Sequence, residues 1–375
     1  MFKLLKRHGK LIKVTALSRL HQEIQQPLRQ RLDEVYGQDV HMEGKWMIAC
    51  EEKLKELTGR KHVHMVTSGT SALMLMFMAL GIDQGDRVIC INHSIPSSVM
   101  PPKLLGADLI FSDINKHGQQ DLTGIDKEDV KAIMTTGLYG DCHDHDLIAD
   151  LGIPVINDSC QAFLSKYKGK EATSIGDASA ISFAQNKTCP VFGTYGAVLT
   201  DRDDWADDFS HTRRCGYLSR NNGNLDHIGI NAQPHADKCV QVYTSLEYVL
   251  KWQERRQQIA DEYRDALKDT GILIRTSPDY STTNNHKFVL FVDKNIEFMK
   301  KLADMGIESH LHYRYNFSKN KVLSNDTTKD FPMTDFFVNH AITIPSHPWL
   351  RKDEMSAVMD AVKKSITKKD LDLKI

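Results

Sequence analysis

Residues 154–161 read PVINDSCQ, a short run of apolar character that is closed by Asp158. A strand buried on both faces needs such an unbroken run, whereas a half-exposed strand alternates. The same texture recurs on both sides, at residues 87–91 (RVICI), 108–111 (DLIF), 131–135 (KAIMT), 179–183 (SAISF) and 196–200 (GAVLT). Helical stretches separate these runs from residue 45 to about 200, so the pattern predicts an α/β fold with a mostly parallel central sheet flanked by helices. A long charged helix over 245–269 follows, with Leu246, Val249, Trp252, Ile259, Tyr263 and Leu267 near helical spacing. Beyond it come a strand over 286–292, a helix over 296–305, a strand near 308–313 and a last helix over 352–366, together a smaller C-terminal α+β domain. The expected division is residues 1–43 as N-terminal arm and helix, 44–244 as the large domain, and 245–375 as connecting helix and small domain.

Across 375 residues, 48 basic and 49 acidic side chains leave a formal charge of −1, so no net field exists to recruit nucleic acid or an anionic membrane. With 41 % apolar and 26 % charged residues the chain can build real cores, which excludes disorder, collagen and coiled coil. The longest apolar run, 71–82 (SALMLMFMALGI), falls short of the roughly 20 residues a membrane span requires and reads as a buried helix. The start, MFKLLKRHGKLIKV, lacks a long apolar segment and a cleavage site, and reads as a short basic arm. Seven scattered cysteines, none in C-x-x-C, suggest reduced thiols and a cytoplasmic location.

Three features carry chemistry. Ser68-Gly69-Thr70-Ser71, ahead of the apolar run, offers the free N–H groups of a helix start and a glycine that allows close approach; it reads as a phosphate seat or as a plain N-cap. Asp158, at the carboxyl end of its strand, lies where ligands of open α/β sheets collect. A buried carboxylate there needs a cation, such as a protonated pyridine nitrogen, unless it only caps the next loop. Gln161 either reaches a ring oxygen or is solvated. Lys187, in SFAQNK just past another strand, is either a surface charge or a nucleophilic amine poised to form a Schiff base. A phosphate seat, an aspartate and a lysine in this order along one α/β domain match what pyridoxal 5'-phosphate needs. The stretch Asp141-Cys142-His143-Asp144-His145-Asp146 lacks a recognised ligand spacing and reads as a loop without metal.

From about residue 44 to 363 the sequence resembles the DegT-type nucleotide-sugar aminotransferases. The resemblance rests on the Ser68 to Leu73 turn, GIDQGD at 81–86, LYGD at 138–141, NDSCQA at 157–162, YKGK at 167–170 and the stretch from Ser182 to Lys187. It continues through 193–200, IGIN at 228–231, 306–313 and PSHP at 345–348. It implies the fold type I architecture of pyridoxal-phosphate transferases, with Lys187 as the lysine that carries the cofactor, Asp158 as pyridinium partner and Gln161 as ring neighbour. Gly69, Thr70 and Ser182 become phosphate ligands, and Asn231 matches the asparagine that reaches the phosphate from the other subunit of a homodimer. His312 and Tyr313 are candidate substrate contacts from the small domain, or packing residues. The implied reaction moves an amino group from an amino acid, usually L-glutamate, to a ketone of a nucleotide-linked deoxysugar in amino-sugar or surface-polysaccharide biosynthesis.

The sequence departs from the family pattern on the substrate side. Where an aromatic ring usually covers the cofactor, it reads Ile91-Asn92-His93-Ser94-Ile95, so His93 or Ile95 must serve, and a flat ring favours His93. The glycine-rich stretch after the lysine loses its acidic residue, and Asn231-Ala232-Gln233-Pro234 lacks the family's arginine. These changes admit two alternatives: an aminotransferase acting on a cyclitol or keto sugar acid, or a non-catalytic cofactor-binding regulatory protein.

Overall fold

The computed structural model describes residues 11–39, 41–217, 225, 227–324 and 326–375; residues 1–10 of the expected basic arm lie outside the described residues. Seven strands build the central sheet: β1 (His62–Val66), β2 (Arg87–Ile91), β3 (Asp108–Ser112), β4 (Val130–Thr136), β5 (Val155–Asp158), β6 (Ala178–Ser182) and β7 (Gly196–Thr200). Their order is β1-β7-β6-β5-β4-β2-β3, with β7 antiparallel to both neighbours and every other pair parallel. The expected α/β class with a mostly parallel sheet is the fold observed. The carboxyl ends of the parallel strands therefore share one edge with the start of β7, where Val66, Gly196 and Ser182 stand side by side.

Alternate residues of the strands feed two cores. Val66, Ala180 and Val198 pack under α3 (Gly69–Ala79), with Leu73, Met76 and Phe77, while Met65, Ile181 and Leu199 pack on the other face against the helix Ala236–Leu246 and α2 (Lys45–Thr58), which follows α1 (Leu17–Tyr36). Burial on both faces is why the runs read as continuous. The six strands expected for this sheet match to within one residue at each end. The strand not anticipated is β1, HVHMV, which pairs only with β7 at the sheet edge; its alternating histidines hide it from a search for apolar runs.

In the small domain, β8 (Leu273–Ile274), β9 (Phe288–Phe291) and β10 (Ala341–Ile344) form an antiparallel sheet in the order β8-β9-β10. The helices Asn295–Asp304 and Lys352–Ser365 pack on it with the second half of the helix Val249–Leu267. The strand expected near 308–313 does not form; one backbone bridge, His310 to Thr343, stands in its place, and β10 supplies the third strand. The polar series Glu308, Ser309, His310, His312 offers no apolar face to pay into a sheet, whereas AITI at 341–344 is fully buried. No helix among the described residues is long and apolar enough to cross a membrane.

Candidate active site

A cavity of about 370 Å³ opens at the carboxyl edge of the sheet, between the large domain and residues of the small one. On one wall β1 runs into α3. The Ser68 hydroxyl caps the helix by accepting from the Ser71 amide at 3.0 Å, and the first amides of α3 have no partner within the helix. A Cβ at position 69 would stand 2.7 Å from Cys160 Sγ and 3.0 Å from Ser182 Cβ, so the close approach of these elements requires Gly69. Beneath the turn, a Cβ at position 196 would lie 2.5 Å from the carbonyl carbon of Ser68, so glycine is needed there too. Unpaired amides, the positive end of the helix dipole and the nearby hydroxyls of Thr70 and Ser182 make this wall receptive to a phosphate.

Asp158 ends β5, only 5 % exposed. Its Oδ2 accepts from the Ser98 hydroxyl at 2.7 Å and its Oδ1 from the Cys160 amide at 3.2 Å. Both donors are neutral, and no ion pair to Asp158 forms among the described residues, so a protonated ring nitrogen would complete the site. The adjacent Cys160 thiol is pushed well up, by burial first and by Asp158 second. Lys187 follows β6 through a turn closed by its amide donating to the Ala184 carbonyl at 2.9 Å, and it is 7 % exposed. Gln161 accepts from the Tyr139 amide at 3.2 Å and anchors Asn284 through its own carbonyl at 2.7 Å.

The structure thus brings Gly69, Thr70, Ile95, Asp158, Gln161, Ser182, Lys187, His312 and Tyr313 to one cavity. Two expected residues are elsewhere. His93 is fully buried behind the wall: its Nε2 lies 2.9 Å from the Tyr139 hydroxyl and 3.3 Å from the Tyr313 amide, and its Nδ1 lies 3.3 Å from the Tyr315 carbonyl. The preference for His93 over Ile95 as ring cover is therefore corrected. It assumed an extended segment in which residues 93 and 95 share a side, but the chain bends at residues 92–94 and leaves only Ile95 on the cavity. Asn231 is exposed on a loop, bridged to Arg214, and does not line the cavity of its own chain.

Ser98 was not anticipated. It lies in the first turn of α4 (Pro96–Leu104), a helix that Pro101 and Pro102 conceal in the sequence, although Pro96 at its start is a usable signal. His286 also lines the cavity; burial and the neighbouring Lys287 hold its imidazole well below the ordinary histidine range. A receptive helix start, a buried carboxylate lacking a cation and a buried lysine fit pyridoxal 5'-phosphate.

Comparison with known proteins agrees with this geometry. The chain is 28 % identical over 314 residues to a UDP-2-acetamido-2-deoxy-3-oxo-D-glucuronate aminotransferase of Pseudomonas aeruginosa, covering 80 % of this chain and 85 % of that one. It is 27 % identical over 354 residues to a dTDP-3-amino-3,6-dideoxy-alpha-D-galactopyranose transaminase of Aneurinibacillus thermoaerophilus, covering 92 % and 97 %. Among solved structures, S. venezuelae DesV in complex with a ketimine intermediate superposes with a TM-score of 0.90 at 22 % identity, over 95 % of this chain and 98 % of that one, a likeness of fold. Residues 22–363 match the DegT/DnrJ/EryC1/StrS aminotransferase family, and the chain belongs to that family.

Proposed function

We propose that this chain transfers an amino group from L-glutamate to a keto group of a nucleotide-linked deoxysugar, in the making of amino sugars or surface polysaccharides. As a member of its family it is an aminotransferase, and pyridoxal 5'-phosphate is its cofactor. The convergence of Lys187, Asp158 and the start of α3 on one cavity carries the reading, and the activities named for its relatives support a nucleotide-sugar acceptor. In this reading Gly69, Thr70 and Ser182 hold the phosphate, Asp158 keeps the ring nitrogen protonated, Gln161 flanks the ring and Ile95 covers one face. When bound, the cofactor supplies an electron sink for the pair released as the donor's Cα–H bond breaks. Lys187 would be its covalent anchor, and Nζ, once freed by the incoming amine, would take the Cα proton and return it two atoms along, across the transferred nitrogen. L-glutamate should bleach the visible absorbance of the protein–cofactor complex, and Lys187→Ala should abolish turnover and the covalent attachment of the cofactor. Borohydride reduction and peptide mapping should place the cofactor on Lys187; a label on another lysine overturns the assignment.

The working unit in this reading is a homodimer with shared sites. Asn231 is exposed beside Ile228, which is 88 % exposed, as a surface awaiting a second copy would be. Mixed Lys187→Ala and Asn231→Ala subunits should regain activity in one site per heterodimer. Well-mixed heterodimers without activity would count against sharing.

A further inference from the structure

Four arginines of the described chain are buried, and three of them meet a carboxylate: Arg60 with Asp201 at 2.9 Å, Arg213 with Glu51 at 2.9 Å and Arg275 with Asp141 at 2.6 Å. Arg256 does not. It is 5 % exposed, one of its terminal nitrogens donates to the Lys187 carbonyl at 3.4 Å, and its Nε has no partner. It lines a recess of about 20 Å³ that adjoins the main cavity and shares Asn186, Lys187, His286 and His312 with it. Lys287 lines the same recess, and its ammonium makes no ion pair among the described residues. The recess thus gathers Arg256, Lys287 and Lys187 without one carboxylate on its walls.

Burying like charges together without a counter-charge is unfavourable, and a bound anion relieves it. The strain is visible in the protonation equilibria: Lys287 is pulled down to about 7 by burial, then by Arg256 and Lys187, and Arg256 is pulled down to about 10 by burial. The recess exceeds the roughly 10–15 Å³ that a water occupies but is too small for a sugar, so it suits the head of an anionic group whose body lies in the main cavity.

We propose that Arg256 and Lys287 seat a substrate carboxylate beside Lys187, a fork and a point charge acting together. The proposal rests on the aminotransferase reading for the two sources of that group: the amino-acid donor, or an acceptor that is a keto sugar acid. The test is equilibrium binding to the cofactor-loaded protein of two unreactive probes, glutarate for the donor and glucuronate for the sugar acid, with glucose as the neutral control. At least one acid should bind saturably, and Lys287→Met and Lys287→Gln should each weaken it tenfold or more while leaving the fold and cofactor absorbance unchanged. Loss of glutarate binding assigns the donor, and loss of glucuronate binding assigns the acceptor. Wild-type protein that binds neither acid, or variants that bind both unchanged, overturns the proposal. Failure of the aminotransferase reading has a separate sign: no amino transfer from glutamate to any keto sugar, whatever the probes do.

Discussion

The His93 ring is enclosed by the rings of Tyr139, Tyr313 and Phe337, with centroids 6.4, 6.0 and 5.7 Å away. Its contacts to Tyr313 and Tyr315 are both met when the proton sits on Nδ1, and burial pulls the imidazole down to about 4. A neutral histidine with these partners is a strut: it fixes Tyr313, which does line the cavity, without facing the cavity itself. His93→Ala should therefore cost about 2–4 kcal/mol of stability, the usual consequence of emptying a packed aromatic site, in a urea unfolding titration. Ile95→Ala should leave stability nearly unchanged and weaken cofactor affinity about tenfold, the loss of one apolar cover. The cofactor absorbance should not follow a histidine titration at His93 between pH 6 and 8. The reverse pattern, with cofactor lost from His93→Ala alone, would restore the histidine as ring cover.

At the scale of elements, the loop after β4 is bound to the chain that leads into β9. Asp141 is fully buried, pairs with Arg275 at 2.6 Å and accepts from the hydroxyls of Ser277 and Ser281 at 3.0 and 2.9 Å. Arg275 also lies over the Tyr139 ring, 5.1 Å from its centroid. Asp141→Asn leaves Arg275 a buried cation without its partner and should cost about 3–5 kcal/mol in the same titration. Because this chain segment delivers His286 and Lys287 to the site, the variant should also bind cofactor less tightly. An unchanged unfolding midpoint would show that the pair contributes nothing net. The same segment shows what a sequence does and does not display. Continuous apolar runs made β2 through β7 legible, since two-sided burial dictates composition directly. Asp141 was visible as a residue but not as half of an ion pair, because its partner lies far along the chain. Ser98 was hidden by a proline-rich helix, and β1 by edge exposure. Arg256 did leave a signal: it falls four residues after Trp252, on the apolar stripe of its helix, where a charge is out of place.

At the scale of the whole molecule, the chain buries many neutral histidines. Burial is the leading cause that holds His64, His143 and His347 at about 3 and His93 and His145 at about 4. Unfolded, each titrates near 6.5. As pH falls below that value the unfolded chain takes up protons that the folded chain refuses, so stability is lost on acidification until the folded-state values are reached. Between pH 7.5 and 5 each such histidine costs on the order of 2 kcal/mol, and five together cost about 10 kcal/mol, comparable with the whole stability of a typical domain. One group opposes them: burial raises the Glu171 carboxyl to about 7, so the folded chain binds that proton first and gains stability as pH falls from 7 towards the ordinary carboxylate range. A single carboxyl cannot offset five imidazoles. The urea midpoint should rise gently from pH 7.5 to 8.5, where the folded chain has released the Lys287 proton that the unfolded chain still holds, fall steadily below about 6.5, and reach zero near pH 5, well before most surface carboxylates protonate. Replacing His143, whose two ring nitrogens are buried without partners, by an apolar residue of similar size should shift that acid midpoint downward. A midpoint that holds to pH 4 would mean that the histidines gain protons in the folded state, through openings or water that reach them.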